Sequence, residues 1–397
     1  MKSFFLYFLL LLSTLFCSTG CQIVELHAQK IEIMASHTIK DKYNSLENYK
    51  NIEECGFSLA RENYQSRDVA VQHLKTALKT NVKLIVGCPE LSKDMENTVR
   101  IFNNFSSFGG YYLSDEPGAD RFSELSKKLK RLRDLDSIHY IWINLHPIYA
   151  SQKYLQVDSY ERYVADYLKI VNPPILSFDS YGLLKKGLRP DYYKNLEIIS
   201  SYCREKGTPF WAYVLTSQFS SYEKPTKGTL SFQVYNNLAY GAQGIEYFSY
   251  RQILTHGLNM TIAPVDTKYK RTSIFPIVKE VNKEISYYSP FFSGSKIIDV
   301  SHLSSNIPLG TKRICSFPKG MSVVYYNGEG FVVSKFIKNN HVYIMFVNKD
   351  YKREQTIVIQ SSNKIRQLSH NKTKRRRLSG RIPFVVEAGS MVLLRVS

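Results

Sequence analysis

The chain has 397 residues, 44% of them hydrophobic, with 53 Lys and Arg against 34 Asp and Glu, a formal net charge of +19. That length exceeds one ordinary domain and calls for a large unit plus a small one. The composition excludes a disordered or low-complexity chain, and the 29 tyrosines suit a protein that presents amphipathic rings to polar ligands.

Residues 1–21, "MKSFFLYFLLLLSTLFCSTGC", carry one lysine, an unbroken apolar run and then small residues. This pattern is an export signal, too short to be a spanning helix. Cys21 directly follows "STG", which resembles the lipobox of bacterial lipoproteins. The expectation is a signal peptide over 1–20, acylation of Cys21, and an exported lipoprotein on the periplasmic or cell-surface side of the envelope. The alternative is ordinary cleavage after "LHA". Four further cysteines, Cys55, Cys88, Cys203 and Cys315, are widely spaced, with no CxxC and no histidine pair nearby, so neither a metal site nor a disulfide framework is indicated.

A unit of short apolar strand, polar loop and amphipathic helix then recurs. The strand candidates are "IEIMAS" (31–36), "CGFSLA" (55–60), "VKLIVG" (82–87), "GYYLS" (110–114), "YIWINL" (140–145), "PILSFD" (174–179), "PFWAYVL" (209–215) and "GIEYFSY" (244–250). Between them, stretches such as "DRFSELSKKLKRLRDL" and "SYERYVADYLKIV" place apolar residues three and four apart, the helical period. Eight such units predict a closed (β/α)8 TIM barrel over residues 21–295. The rival open sheet lacks a GxGxxG after its first strand. From residue 296 to 397, β-rich runs broken by Gly, Asn and Lys predict a C-terminal all-β sandwich.

Charge divides at the same boundary. Residues 296–397 hold 18 Lys and Arg against 5 Asp and Glu, so +13 of the net charge lies there. The densest run is "HNKTKRRRLSGR" (370–381). It reads as a solvated hairpin loop, or as a contact for an anionic surface or glycan; nucleic acid is not expected for an exported lipoprotein.

In a closed barrel, functional groups gather where the strands end and the βα loops begin. Alternation along strand four groups Ser114 with Glu116 toward the mouth, opposite Tyr111 and Leu113. It leaves Asp115 to cap a helix opened by Pro117, or to orient substrate. Strand five aims Trp142, Asn144 and His146 inward. Strand six groups Ser177, Asp179 and Tyr181. Strand seven supplies Trp211 but no acid, and strand eight carries Glu246 with its direction open. A mouth lined by carboxylates, amide, imidazole and aromatic rings, with no cofactor fingerprint, suits sugars. Rings stack on pyranose CH faces while acids and amides hold hydroxyls.

The stretches "GYYLSDEP", "NLHP", "SFDSYGL" and "FQVYNNLAYGAQGIEYFSY" resemble a group of bacterial exported glycoside hydrolases. These are related to the family 42 β-galactosidases and the wider clan A of (β/α)8 retaining enzymes. The resemblance spans roughly residues 30–290. It implies that Glu116, at the end of strand four, is the general acid/base, with Asp115 in place of the clan's usual asparagine. It also implies a nucleophilic glutamate at the end of strand seven, where "AYVLTSQF" has none; the nearest acid is Glu223.

The expectation is therefore a carbohydrate-acting glycoside hydrolase anchored to a membrane by a lipid on Cys21. Glu116 is its acid and Asp179 its base or nucleophile, with Glu246 and Glu62 as the other candidates for that second carboxylate. Asp115, Asn144, His146, Tyr181, Trp211 and Glu246 would hold substrate, and neither metal nor organic cofactor is implied. The strand-four and strand-six positions lean toward an inverting reaction. The alternative from a different class is a glycan-binding lipoprotein on a barrel that has lost its chemistry.

Overall fold

A computed structural model describes residues 30–255, 257–369 and 377–396. Cys21 and residues 370–376 of the basic run lie outside the described residues. Eight parallel strands close a barrel: β1 (Glu32–Ser36), β2 (Leu59–Asn63), β3 (Lys83–Gly87), β4 (Phe108–Asp115), β5 (Tyr140–Leu145), β6 (Leu176–Phe178), β7 (Phe210–Leu215) and β8 (Gly244–Phe248). Each pairs with its sequence neighbours, and β8 closes onto β1.

The connecting helices follow from the periodicity. In the helix Phe122–Leu135, Phe122, Leu125, Leu129 and Leu132 are buried while the lysines and arginines between them face out. Ser159 caps the helix Tyr160–Asp166 by accepting from Arg162 N. Thr226 and Thr229 cap each other's backbone at the start of Lys227–Ala239. Outward strand residues such as Ile141, Ile143, Phe178 and Val214 pack on the helices. Inward ones (Met34, Leu59, Ile85, Tyr140, Trp142, Trp211, Tyr213, Leu215) fill the lumen as a separate cluster. The interior is a packed core rather than a pore.

Two local expectations are corrected. Cys55 and Gly56 do not belong to the second strand. Cys55 closes the helix Leu46–Glu54, and Gly56 turns the chain at φ 89°. The strand starts at Leu59 and runs through Asn63, taking Arg61 and Glu62 into the sheet. Pro117 does not open a helix, nor does Asp115 cap one: a 3-10 turn over Ala119–Arg121 intervenes, and the α-helix begins at Phe122.

Seven antiparallel strands form the C-terminal β domain: β9 (Lys296–Leu303), β10 (Met321–Tyr326), β11 (Phe331–Lys338), β12 (His341–Asn348), β13 (Gln355–Leu368), β14 (Arg377–Val386) and β15 (Met391–Val396). Their order is β9-β11-β12-β15-β13-β10, with β14 also on β13. One face carries Phe336, Tyr343, Met345 and Leu393 against the barrel's last helix, Ile274–Phe292; the other encloses Phe331, Ile344, Phe346, Ile359 and Leu394. No helix among the described residues is long and apolar enough to cross a membrane.

Candidate active site

The site is built by strand ends. On β5, inward Asn144 follows inward Trp142 at the alternation of a pleated strand. On β6, Ser177 and Asp179 share the inward face because Leu176 and Phe178 are claimed by the helices. These side chains form one buried chain of hydrogen bonds. Asn144 Nδ2 donates to Asp179 Oδ1 at 2.8 Å, Ser177 Oγ lies 2.9 Å from Asn144 Oδ1, and Ser177 Oγ donates to Glu246 Oε2 at 2.5 Å. Trp142 Nε1 donates to Glu246 Oε1 at 2.5 Å.

Strand β4 is bulged between Tyr112 and Ser114. The extra residue, Leu113, reverses the alternation beyond it. Tyr112 pairs with inward Trp142, and Asp115 pairs with inward Asn144, whereas Ser114 pairs with outward Ile143. Asp115 therefore reaches the mouth, where Tyr112 OH donates to its Oδ2 at 3.2 Å. Ser114, expected inward, lines a shallow outer groove with Leu113 and Arg121.

Glu116 follows the strand at φ 47°, an unusual backbone region for a residue with a Cβ, and is held there by its N–H donating to Asn144 O at 2.8 Å. Its carboxylate, 41% exposed, lies 3.4 Å from His146 Nδ1 and hydrogen-bonds the carboxyl of Asp179. Two carboxyl groups in contact cannot both ionise freely. Burial of Asp179, followed by the charge of Glu116, lifts the Asp179 carboxyl well above the usual range, against the hydrogen bond from Asn144. Asp179 is nearly buried and Glu116 open to solvent at the mouth of the barrel.

The expected substrate residues divide by depth. Asp115, Glu116, His146 and Tyr181 gather at the mouth; Tyr181 stacks on Phe248 with centroids 5.8 Å apart. Asn144 is there too, but both ends of its amide are engaged by Asp179 and Ser177, so it positions the acid rather than presenting itself to a sugar. Glu246 points inward but is fully buried beneath Trp142 and Ser177, and burial pushes its carboxyl up to about 7 despite their hydrogen bonds. It does not reach the mouth. Trp211 corrects the expectation outright. It sits at the start of β7, against Gly244 and Tyr140, in the layer of the lumen farthest from the mouth. Glu62 faces the helices, ion-paired to Lys40 at 3.4 Å. Glu223 pairs with Lys352 of the β domain at 3.1 Å.

At the end of β7, Leu215 caps the lumen core, and Thr216 and Ser217 bond the β8 backbone at Phe248 and Ser249. Among the described residues no carboxylate stands there. Two residues escaped the sequence reading. Arg61 is inward on β2, its guanidinium 4.6 Å from the Tyr112 ring centroid and 4.4 Å from that of Trp142, beneath Asp115. Tyr149 OH accepts from Tyr181 N–H at 3.3 Å, beside Asp179. The signal for Arg61 was its two-residue spacing from Leu59.

No family model matches the sequence, and no curated protein is similar to it. Solved structures do share its fold. A family 42 β-galactosidase from G. stearothermophilus superposes with a TM-score of 0.65 at 8% identity, covering 93% of this chain and 98% of that one. A β-galactosidase from Bacillus circulans sp. alkalophilus gives 0.63 at 9%, covering 93% and 99%. A family 39 glycoside hydrolase from Bacteroides cellulosilyticus gives 0.54 at 8%, covering 94% and 82%. At such identities the likeness concerns architecture: the chain shares the fold of these solved structures.

Proposed function

We propose that the protein hydrolyses glycosidic bonds of oligo- or polysaccharides, using Glu116 and Asp179. The observation that carries this reading is their contact: two carboxyls meeting at a solvent-open barrel mouth, one exposed and one pinned by Asn144. The acidic proton, which burial favours on Asp179, crosses their hydrogen bond to Glu116, which meets the substrate and delivers it to the glycosidic oxygen; this leaves Asp179 ionised to act at the anomeric carbon. Asp115 and Tyr181 hold the sugar, and His146 orients Glu116.

The stereochemistry follows from separation. Retaining pairs stand about 5–5.5 Å apart and inverting pairs about 6.5–9.5 Å. A pair that rests in hydrogen-bond contact reaches the shorter distance by a modest swing of Glu116, since Asp179 is fixed. The geometry thus favours retention, with Asp179 as nucleophile in place of the strand-seven glutamate, against the inversion expected from strand positions. A polysaccharide panel assayed for released reducing sugar, followed by proton NMR of the first-formed anomer, tests both statements.

A second reading is favoured by the carboxylate-free end of β7: a glycan-binding protein without turnover. It predicts saturable sugar binding and no release of reducing ends. In either case we propose that the chain is exported and held at a membrane by a lipid on Cys21. Recovery of wild-type protein in the soluble fraction, with an N-terminus beyond residue 21, would refute this.

A further inference from the structure

The described chain enters the barrel at the end opposite the mouth. Ile31 N–H donates to Ser289 Oγ at 2.6 Å, near the last turn of the helix Ile274–Phe292. The β domain abuts this same end. Phe291 packs on Tyr343, Lys338 Nζ donates to Ser293 O, and Ile297 touches Gly241 at the approach to β8. The lower edge of the β sheet and the point where the N-terminal segment arrives therefore share one side of the molecule.

That edge carries charge which the fold does not neutralise. Tyr343, Arg395 and Arg366 lie directly opposite one another across β12, β15 and β13, on one sheet face. Like charges opposed across strands are destabilising unless something answers them. Among the described residues no carboxylate pairs with either arginine; Arg395 Nη2 instead lies 3.1 Å from His341 Nδ1. Of the domain's five acids, Asp299 is taken by Lys312 and Lys335, Asp350 by Arg353 and Glu387 by Lys227. Glu329 and Glu354 sit at the opposite end of the strands. Arg395 and His341 wall an open cleft of about 360 Å³ with Pro318, Asn340, Val342 and Val396. Exposed Lys296 and half-buried Lys338 flank it on β9 and β11.

We propose that this cleft and its rim bind phosphate-bearing headgroups of an anionic lipid surface. The two arginines grip the phosphate and the flanking lysines add attraction. Arginine's planar fork matches phosphate oxygens in pairs. A basic surface beside the anchor would add electrostatic attraction to anionic headgroups and fix the orientation of the protein on the membrane. Docked this way, the mouth with Glu116 and Asp179 points away from the membrane toward polymeric substrate. The proposal rests on the membrane placement of the chain but not on acylation itself, and the test separates the two.

Both domains lie within residues 30–396, so the chain from Gln22 onward carries the whole fold without a lipid. Its cosedimentation with phosphatidylcholine vesicles, with and without phosphatidylglycerol, is the measurement. Binding should require phosphatidylglycerol and weaken as salt rises past about 0.15 M. The double variant Arg366→Gln/Arg395→Gln should lose about tenfold or more in affinity, since each surface cation contributes about a factor of five. A control pair at the mouth end, Lys224→Gln/Lys268→Gln, removes the same charge and should leave binding unchanged, with both variants checked for an unaltered unfolding midpoint. Equal binding to neutral vesicles, or equal loss in both variants, would overturn the proposal. So would displacement by millimolar inorganic phosphate at constant ionic strength, or binding to acidic polysaccharide but not to vesicles; these would assign the cleft to a soluble phosphate or a glycan. If the vesicles bind as expected but mass spectrometry of the wild-type protein finds no lipid on Cys21, the acylation reading fails while the surface stands.

Discussion

The carboxyl of Glu116 hydrogen-bonds that of Asp179 across the gap between the ends of β4 and β6, and Asn144 fixes the partner that moves less. The amide donates to Asp179 with one end and lies 2.9 Å from Ser177 Oγ with the other, so it has no freedom of its own. Replacing it removes the hydrogen bond that favours ionised Asp179, leaving burial and the Glu116 charge to lift that carboxyl further.

Asn144→Ala should therefore lower turnover by about 10- to 100-fold and move the acid limb of the pH–rate profile upward. A merely structural role would lower the rate without moving the limb. Measuring kcat across pH for both proteins separates these outcomes.

Glu246 makes a prediction about stability. Its carboxyl, completely buried, titrates at about 7 in the folded chain, above its ordinary value. Below the ordinary value both folded and unfolded chains are protonated and this group adds nothing unfavourable. As pH rises from the ordinary value to about 7 the unfolded chain ionises freely while the folded chain must keep its proton or bury a charge, so stability falls until the folded group too has ionised. The loss across this window is about 3 kcal/mol from this group. Glu246→Gln should flatten that part of the profile, seen as unfolding free energies at about pH 5 and pH 8 that draw together relative to wild type. An unchanged gap would show that other groups set it.

Gly244 tests the reassignment of Trp211. A Cβ at Gly244 would lie 2.5 Å from the Trp211 ring, whose rigid carbons cannot give way. Gly244→Ala should cost about 1–3 kcal/mol of stability through overpacking, while KM at temperatures well below unfolding stays unchanged. A selective rise in KM would return Trp211 to the substrate site.

Glu223 is the acid nearest in sequence to the missing strand-seven glutamate, yet its partner is Lys352 of the other domain. Glu223→Gln should change kcat/KM by less than about twofold and stability by under about 1 kcal/mol, the usual scale for a surface ion pair. A large fall in kcat would make it the relocated nucleophile.

Much of this was legible in the chain, and the exceptions have specific causes. The eight apolar runs set the barrel, and alternation on β5 and β6 aimed Asn144 and Asp179 together because neither strand is interrupted. Alternation failed on β4, where the bulge at Leu113 sends Asp115 rather than Ser114 inward; "YYLSDE" contains no residue that marks an extra position. On β2 the apolar run starts at Cys55 but the strand starts only at Leu59, so the run does not reveal that Arg61, beside Glu62, lies inward. Parity gives direction but not depth. Trp211 faces the lumen, and so does Glu246, whose direction alternation leaves open, but both lie below the mouth.

Substitution of Glu116 tests the account most directly. Glu116→Gln keeps the volume and the backbone bond to Asn144 but cannot donate the proton. It should lower turnover by about 100- to 10,000-fold with sugar binding and the unfolding midpoint nearly unchanged. An enzyme that releases sugar at the wild-type rate with glutamine at this position would contradict the account.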